Sequence, residues 1–356
     1  MLLITWRLGM LHGKILYIGS KAGTSLHRAE ALRRSGYDVV HISPYEDLPK
    51  HWALWLSRFG GPGLDGIVAR SLKRQIAQQR FPIALVDSGD VVGPKALRHI
   101  RQVASKTANY CQDNPYGDPP PERRRWTLFR RAAPGYDLLV TPRRENADVL
   151  VQKLTGKQPM QVWFSADEVA HQPQSLTKAE TAEWASDVIF AGAWMPGRDA
   201  FMAKLVEAGL PLKIYGLRWE RSPDFERIRS AVQFRFLNGA DYAKAIQCSK
   251  VALVLVNGAN SDLHTTRSTE IPAIGAAMCA PRTIHHANLY RDGDEALFFD
   301  NADECIAQCR RLLADVDLRE RVASGGRHRT FQNRTYNEDL MKSIVDRLSD
   351  LPEVRA

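Results

Sequence analysis

Two stretches of the chain follow one local plan, and that plan permits few folds. Lys14-Ile15-Leu16-Tyr17-Ile18-Gly19 reads as a short buried strand running into a glycine. Ser20 to Ser25 is a loop, Leu26 to Ser35 a helix closed by Gly36, and Val39 to Ile42 the next strand. Asp187 to Gly192 starts the plan again, followed by a loop over 193–198, a helix over 199–208 and the strand Leu212 to Gly216. Strand, loop, helix and strand in this order join parallel strands through a right-handed crossover.

Further strands are expected at 81–87, 107–112, 137–141, 160–164, 232–236, 251–256, 278–280 and 296–299. Further helices are expected over 66–79, 145–154, 302–314, 318–325 and 336–348, with another opened by Asn238-Gly239-Ala240-Asp241 and carrying Tyr242. The run Val251 to Val256 is apolar throughout, as a strand covered on both faces must be. The expected fold class is therefore α/β, with two Rossmann-like parallel-sheet halves facing a central cleft. His171 to Glu183 is polar and lacks an apolar period. It sets the expected domains at 1–180 and 181–334, with 335–356 as a final helix crossing back to the first domain.

The 356 residues suffice for two cores, and 44% hydrophobic with 25% charged content is that of a soluble globular protein. No apolar run approaches bilayer length. The start, MLLITWRLGMLHGK, lacks a basic opening and a clean cleavage site, so no secretory signal is expected; Met10 is an alternative start. Cys111, Cys248, Cys279, Cys305 and Cys309 show no metal spacing and no even disulfide set. Cys305 and Cys309, one helical turn apart, read as buried reduced thiols. These features point to the cytoplasm.

The net charge of +9, from 49 Lys+Arg against 40 Asp+Glu, suits polyanions, anionic membranes or phosphate-bearing small molecules. Basic residues concentrate in GDPPPERRRWTLFRR (117–131). That stretch reads as a helix with its apolar side on the core, or as one lying on an anionic membrane. It is too short for a nucleic-acid surface, and no nucleic-acid partner is expected.

Chemistry concentrates between Asp262 and Asp300. In Arg267-Ser268-Thr269-Glu270-Ile271-Pro272-Ala273-Ile274-Gly275, a glutamate stands at the mouth of a short helix, with Pro272 expected in its first turn. Unsatisfied N–H groups there can seat a phosphate, and a carboxylate nearby can take two ribose hydroxyls; the alternative is that Glu270 only complements the helix dipole. Elsewhere, Ser20, Ser25 and His27 follow the first strand, where ligands of parallel sheets sit, although loop polars occur there too. Asp87 and Asp90, in DSGD, resemble a metal pair but suit a turn better. Asp113 stands where a general base could, or sets an Asx turn.

Taken together, these motifs resemble the GT-B glycosyltransferases, in the branch similar to the spore-maturation protein CgeB. The resemblance runs from Lys14 onward through Thr24 to Ala29, Asp113-Asn114-Pro115, Arg124-Arg125-Trp126 with Tyr136-Asp137-Leu138, Asp187 to Trp194, and Arg267 to Gly275 continuing to Asp300. It implies transfer of a sugar from a nucleoside diphosphate donor to a saccharide, lipid-linked or protein acceptor, with no metal or cofactor. Glu270 matches the ribose-holding glutamate, and Gly275 the glycine ending the helix beneath the phosphates. Gly192 and Gly216 match glycines that admit the donor. Arg198, Arg218 and Arg267 are candidates for the diphosphate charge, with Ser268, Thr269 and Tyr242 beside them. Gly19, Ser20, Ser25, His27, Asn114 and Asp167 are the acceptor-side candidates, and Asp113 is the candidate base. Asp262 stands where many retaining relatives carry a second glutamate, so retention or inversion stays open. Asp292-Gly293-Asp294 resembles a metal-binding triplet but fits a turn. Peripheral contact with the inner membrane face is a further expectation. The competing readings are a nucleotide-sugar epimerase on the same scaffold and a non-catalytic nucleotide-sugar or nucleic-acid binder.

Overall fold

The computed structural model describes residues 12–116, 122–143, 148–149, 152, 157–237, 239–256 and 262–352. The helix expected over 145–154 lies mostly outside these residues, as do Gly117 to Pro121 and Asn238. Two compact units emerge. One contains the residues up to Trp163 and those from Glu338 onward, and the other is Phe164–Asn337.

The first unit holds a six-stranded sheet built from β1 (His12–Ile18), β2 (Tyr37–Ile42), β3 (Phe81–Asp87), β4 (Ala104–Tyr110), β5 (Leu138–Thr141) and β6 (Met160–Gln161). The order is β2-β1-β3-β4-β5-β6, and every pairing is parallel. Alternation along β1 explains its two layers. Leu16 and Ile18 face Val68, Leu72 and Ile100 from the helices Leu64–Ile76 and Pro94–Val103. Ile15 and Tyr17 face the helix Gly23–Arg34 and the last helix, Asn337–Ser349, which contributes Leu340, Ile344 and Leu348. The final helix thus packs on the first sheet.

The second unit holds a five-stranded parallel sheet of β7 (Ser186–Ala191), β8 (Leu212–Tyr215), β9 (Ser249–Leu253), β10 (Met278–Pro281) and β11 (Leu297–Phe299), in the order β11-β10-β9-β7-β8. Two parallel-sheet Rossmann-like units are the GT-B architecture.

Three expectations need correction, and for the basic stretch the reading with its apolar side on the core is borne out. The boundary expected at 180/181 falls inside the second unit, because the segment from Phe164 through the polar run is anchored to that unit. The Phe164 amide donates to His264 Nε2 (3.2 Å), the Gln174 amide to Gln247 Oε1 (2.7 Å), and Lys244 pairs with Glu180 (2.7 Å). Within that run Thr177 and Glu180 form a capping box that starts the helix Lys178–Trp184. The expected strand 232–236 shrinks to a single bridge at Val232, since Phe234 has a left-handed φ of 48° and both Phe234 and Phe236 are exposed. The helix expected to end at Gly325 continues as Val316–Gln332. A Cβ at Gly325 or Gly326 would meet the Asp294 carbonyl at 2.5 Å or the Glu295 carbonyl at 2.6 Å, so these glycines permit close approach and do not stop the helix. Finally, the basic stretch forms the helices Glu122–Arg125 and Thr127–Ala132, and Trp126, Leu128 and Phe129 are buried in the core. Its apolar face is therefore not available to a membrane, whereas Arg123, Arg124 and Arg131 are exposed.

Candidate nucleotide-sugar site

Parallel strands deliver their exits to one edge of the sheet, and in the second unit that edge gathers β7, β8 and β9. Gly192 follows β7 and its amide donates to the Tyr215 carbonyl (2.8 Å), while the Trp194 amide donates to the Leu217 carbonyl (2.9 Å). Gly216 follows β8. A Cβ on it would lie 2.1 Å from the Gly192 carbonyl, which itself accepts from Trp219 Nε1 (2.9 Å). The two glycines bring the two exits against each other.

Two guanidiniums converge on this edge. Arg198 precedes the helix Asp199–Glu207 and donates from Nη1 to the Ala193 carbonyl (2.8 Å) and from Nη2 to the Leu255 carbonyl (3.4 Å). It stacks over Phe190, 5.4 Å from the ring centre. Arg267 opens the helix Arg267–Ile274 and donates from Nε to the Ala191 carbonyl. Burial, followed by repulsion from Arg267, pushes the Arg198 guanidinium down to about 10, still cationic at neutral pH. Among the described residues neither arginine has a carboxylate partner. Arg218 lies on the same edge, exposed, with a left-handed φ of 69°.

Glu270 occupies the first turn of the helix Arg267–Ile274 and is 6% exposed. Its surroundings are polar. Tyr242, on the helix Gly239–Gln247, donates its phenol to Oε2 at 2.9 Å, and burial, reinforced by that carboxylate, raises the phenol well above its usual range. His171 Nε2 stands 3.8 Å from Oε1. Because His171 Nδ1 accepts from the Asp167 amide (2.8 Å), the ring proton sits on Nε2 and faces the glutamate.

The sequence misplaced several parts of this arrangement. The helix starts three residues before Glu270, so Pro272 lies inside it, where the Ser268 carbonyl forgoes its usual N–H donor. Ser268 and Thr269 are fully buried and do not present their hydroxyls to a ligand. The Ser268 hydroxyl bonds His286 Nε2 (2.8 Å) and accepts from the Thr265 amide (3.0 Å), and Thr269 donates to the Thr266 carbonyl (2.9 Å). His286 donates from Nδ1 to the Pro281 carbonyl (2.7 Å), which leaves Nε2 as the acceptor; burial pushes its pKa down to about 4. Gly275 ends the helix with a φ of 94°, at the edge where β10 begins, and therefore away from the strand exits. It borders a depression of about 350 Å³ on that opposite edge, with Ser249 and Lys250. His171 and His286 were not foreseen, because a lone histidine in a polar or apolar run carries no spacing signal.

The acceptor-side candidates divide. Gly19 and Ser20 follow β1, with Ser25 and His27 on the next helix, at the carboxyl edge of the first sheet. The Gly19 amide donates to the Ile42 carbonyl (3.0 Å), and Ser20 Oγ accepts from the Ala22 amide (3.3 Å). Asn114 Oδ1 is taken by the Tyr116 amide (3.1 Å), an Asx turn. Asp167 belongs to the second unit and is buried, accepting from the Val169 and Ala170 amides (3.0 and 2.9 Å) and from Asn337 Nδ2 (3.1 Å). It fixes a turn and is not part of the first unit's edge. Asp113 lies just past β4, 44% exposed at its side chain, 3.8 Å from Arg125.

Asp87 and Asp90 do more than make turns. Asp87 receives both Nε (2.9 Å) and Nη2 (2.7 Å) of buried Arg28, and the Tyr17 phenol. Removing either member of such a buried pair costs about 3–5 kcal/mol. Asp90 accepts from Tyr45 (2.8 Å) and faces Arg125 (3.4 Å). Asp292 is held by Arg282 (2.8 Å) and the Phe298 amide (3.0 Å), and Gly293 closes a turn onto the Ala296 carbonyl (2.9 Å).

The paired sheets place the chain in the GT-B class of fold. Residues 198–344 match a family described as glycosyl transferase-like. Sucrose-phosphate synthase from Thermosynechococcus elongatus is similar, with a TM-score of 0.64 and 13% identity over 94% of this chain and 98% of that one. Anabaena HepE, solved with UDP and glucose, has a TM-score of 0.64 and 12% identity over 96% of this chain and 100% of that one. A Listeria monocytogenes chain described as a UDP-N-acetylglucosamine 2-epimerase has a TM-score of 0.55 and 11% identity over 96% and 98%. No curated protein matches the chain. Among the described residues no helix is long and apolar enough to cross a membrane.

Proposed function

We propose that the protein transfers a glycosyl group from a nucleoside diphosphate sugar held by the second unit. The observation that carries this reading is the pair Arg198 and Arg267, two cations anchored by backbone carbonyls, with no carboxylate partner among the described residues, Arg267 standing one helical turn before buried Glu270. Unopposed guanidiniums at strand exits attract a diphosphate. Glu270 is assigned to the ribose hydroxyls, with Tyr242 and His171 setting its orientation. UDP in the Anabaena structure supports a nucleotide of this kind. The motif from Arg267 to Gly275 supports the CgeB-like branch.

In the reaction the bond between the anomeric carbon and the diphosphate oxygen breaks, and the electron pair leaves with the diphosphate. The acceptor oxygen bonds the anomeric carbon and gives up its proton, to a base in the inverting case or to the departing diphosphate in the retaining one. The two arginines stabilise the departing charge, the task a divalent cation performs elsewhere, so the proposal is metal-independent. Asp113 is the proposed base should the reaction invert. The acceptor is proposed to be a saccharide, a lipid-linked molecule or a protein, reached from the cytoplasmic side.

A membrane contact is proposed on the first unit. The helix Trp52–Phe59 exposes Leu54, Trp55 and Phe59, and Lys50, Arg58, Arg123 and Arg124 are exposed around them, with Arg124 Nη1 donating to the Arg58 carbonyl (3.4 Å). Apolar side chains ringed by cations match an anionic bilayer.

The likeness to the Listeria chain favours epimerisation as the second reading. A thermal-shift screen of nucleoside diphosphates and their sugars identifies the donor. The chosen donor is then incubated with candidate acceptors. Acceptor-dependent release of the diphosphate supports transfer, whereas an epimerised sugar with its diphosphate intact supports the second reading and overturns the first.

A further inference from the structure

In the second unit three thiols meet inside the core. Cys279 lies on β10, and Cys305 and Cys309 lie one turn apart on the helix Ala302–Ala314, which packs against that strand. All three are fully buried, and their sulfur atoms lie within 4.8 Å of one another. Leu253, Leu297 and Ile306 belong to the same core. Three sulfurs bonded to one ion at about 2.3 Å in a plane stand roughly 4 Å apart. The cluster is already close to that spacing.

We propose that Cys279, Cys305 and Cys309 form a three-sulfur site for a soft monovalent metal ion, cuprous copper being the chemistry that fits. Thiolate sulfur selects soft ions. Zinc in a closed site takes four ligands, and among the described residues no fourth histidine, cysteine or carboxylate joins the cluster. The ligating form of cysteine is the thiolate, so uptake of the ion releases thiol protons to solvent. The site ties strand to helix across 26 residues of sequence and is separate from the arginines and Glu270 assigned to the donor.

The test is an anaerobic titration of the reduced full-length protein with cuprous ion, in competition with a cuprous chelator. It is followed by the thiolate-to-copper absorption band in the ultraviolet and by native mass spectrometry. The same titration during refolding from denaturant covers the case in which the core must open to admit the ion. One ion per chain is expected. Cys309→Ser and Cys305→Ser, checked for folding by circular dichroism, should each weaken uptake more than about 100-fold, beyond what loss of an outer-shell partner costs. Cys111→Ser and Cys248→Ser should leave uptake unchanged. No uptake by the parent in either format, or equal uptake after Cys279, Cys305 and Cys309 are all replaced by serine, overturns the proposal.

Discussion

The phenol of Tyr242 donates to Glu270 Oε2 across 2.9 Å while His171 Nε2 stands 3.8 Å from Oε1, and the two together aim a buried carboxylate. Glu270→Ala is expected to weaken nucleoside diphosphate binding by roughly 10- to 100-fold, the effect of hydrogen bonds to a charged group. Tyr242→Phe keeps the acceptor and should weaken binding less. Calorimetry with both variants checks the order. Equal losses in the two would mean that Tyr242 touches the ligand itself.

Arg198 and Arg267 are assigned to one leaving group, so their effects should not add. Arg198→Ala and Arg267→Ala are each expected to lower kcat about 10²- to 10³-fold, and the double variant by less than the product of the two. Steady-state rates measured with and without EDTA check both claims. The rate of the parent protein should not change on chelation.

Much of this arrangement was legible in the sequence, and the failures share a cause. Strands such as 81–87 and 137–141 read correctly because apolar runs between turns are local signals. Gly325-Gly326 misled because a glycine pair signals a stop, whereas here the turn at Asp294-Glu295 presses against the helix. Ser268 and Thr269 look like ligand-binding hydroxyls, yet their partners, His286 and the Thr266 carbonyl, emerge only in three dimensions. Cys279 lies too far along the chain from Cys305 for spacing to join them. The start at Arg267 was also hidden, since Pro272 normally marks a first turn.

Glu295 provides a pH test of stability. Burial alone would raise its carboxyl, but hydrogen bonds from Arg329 and from the Arg291 amide and side chain outweigh that and hold it below the ordinary range. A depressed carboxyl stabilises the folded state above the unfolded value, about 4.3 for glutamate, and loses that contribution as pH falls through the folded value. Glu295→Gln should therefore be less stable than the parent at neutral pH, with the gap closing below about pH 4. Urea melts at pH 7 and pH 3 measure it. A gap that persists unchanged at pH 3 would point to packing as its source.

The proposed membrane face separates from the basic helix beside it. Leu54→Ser, Trp55→Ser and Phe59→Ser together should abolish co-sedimentation with vesicles containing phosphatidylglycerol. Arg123→Ser with Arg124→Ser should weaken it and reduce its dependence on salt. If the parent protein sediments equally with neutral phosphatidylcholine vesicles, charge plays no part in the contact.

The central claim is that the second unit grips a diphosphate between two arginines, with Glu270 assigned to the ribose. Calorimetric titration of the parent and the Arg198→Ala/Arg267→Ala variant with UDP, GDP, ADP and their sugars tests it most directly. We predict that at least one of these binds the parent, and that its affinity falls at least about 100-fold in the variant, the loss of two charge-assisted contacts. Binding of equal strength to both proteins, or of none of these ligands to the parent, would contradict the account.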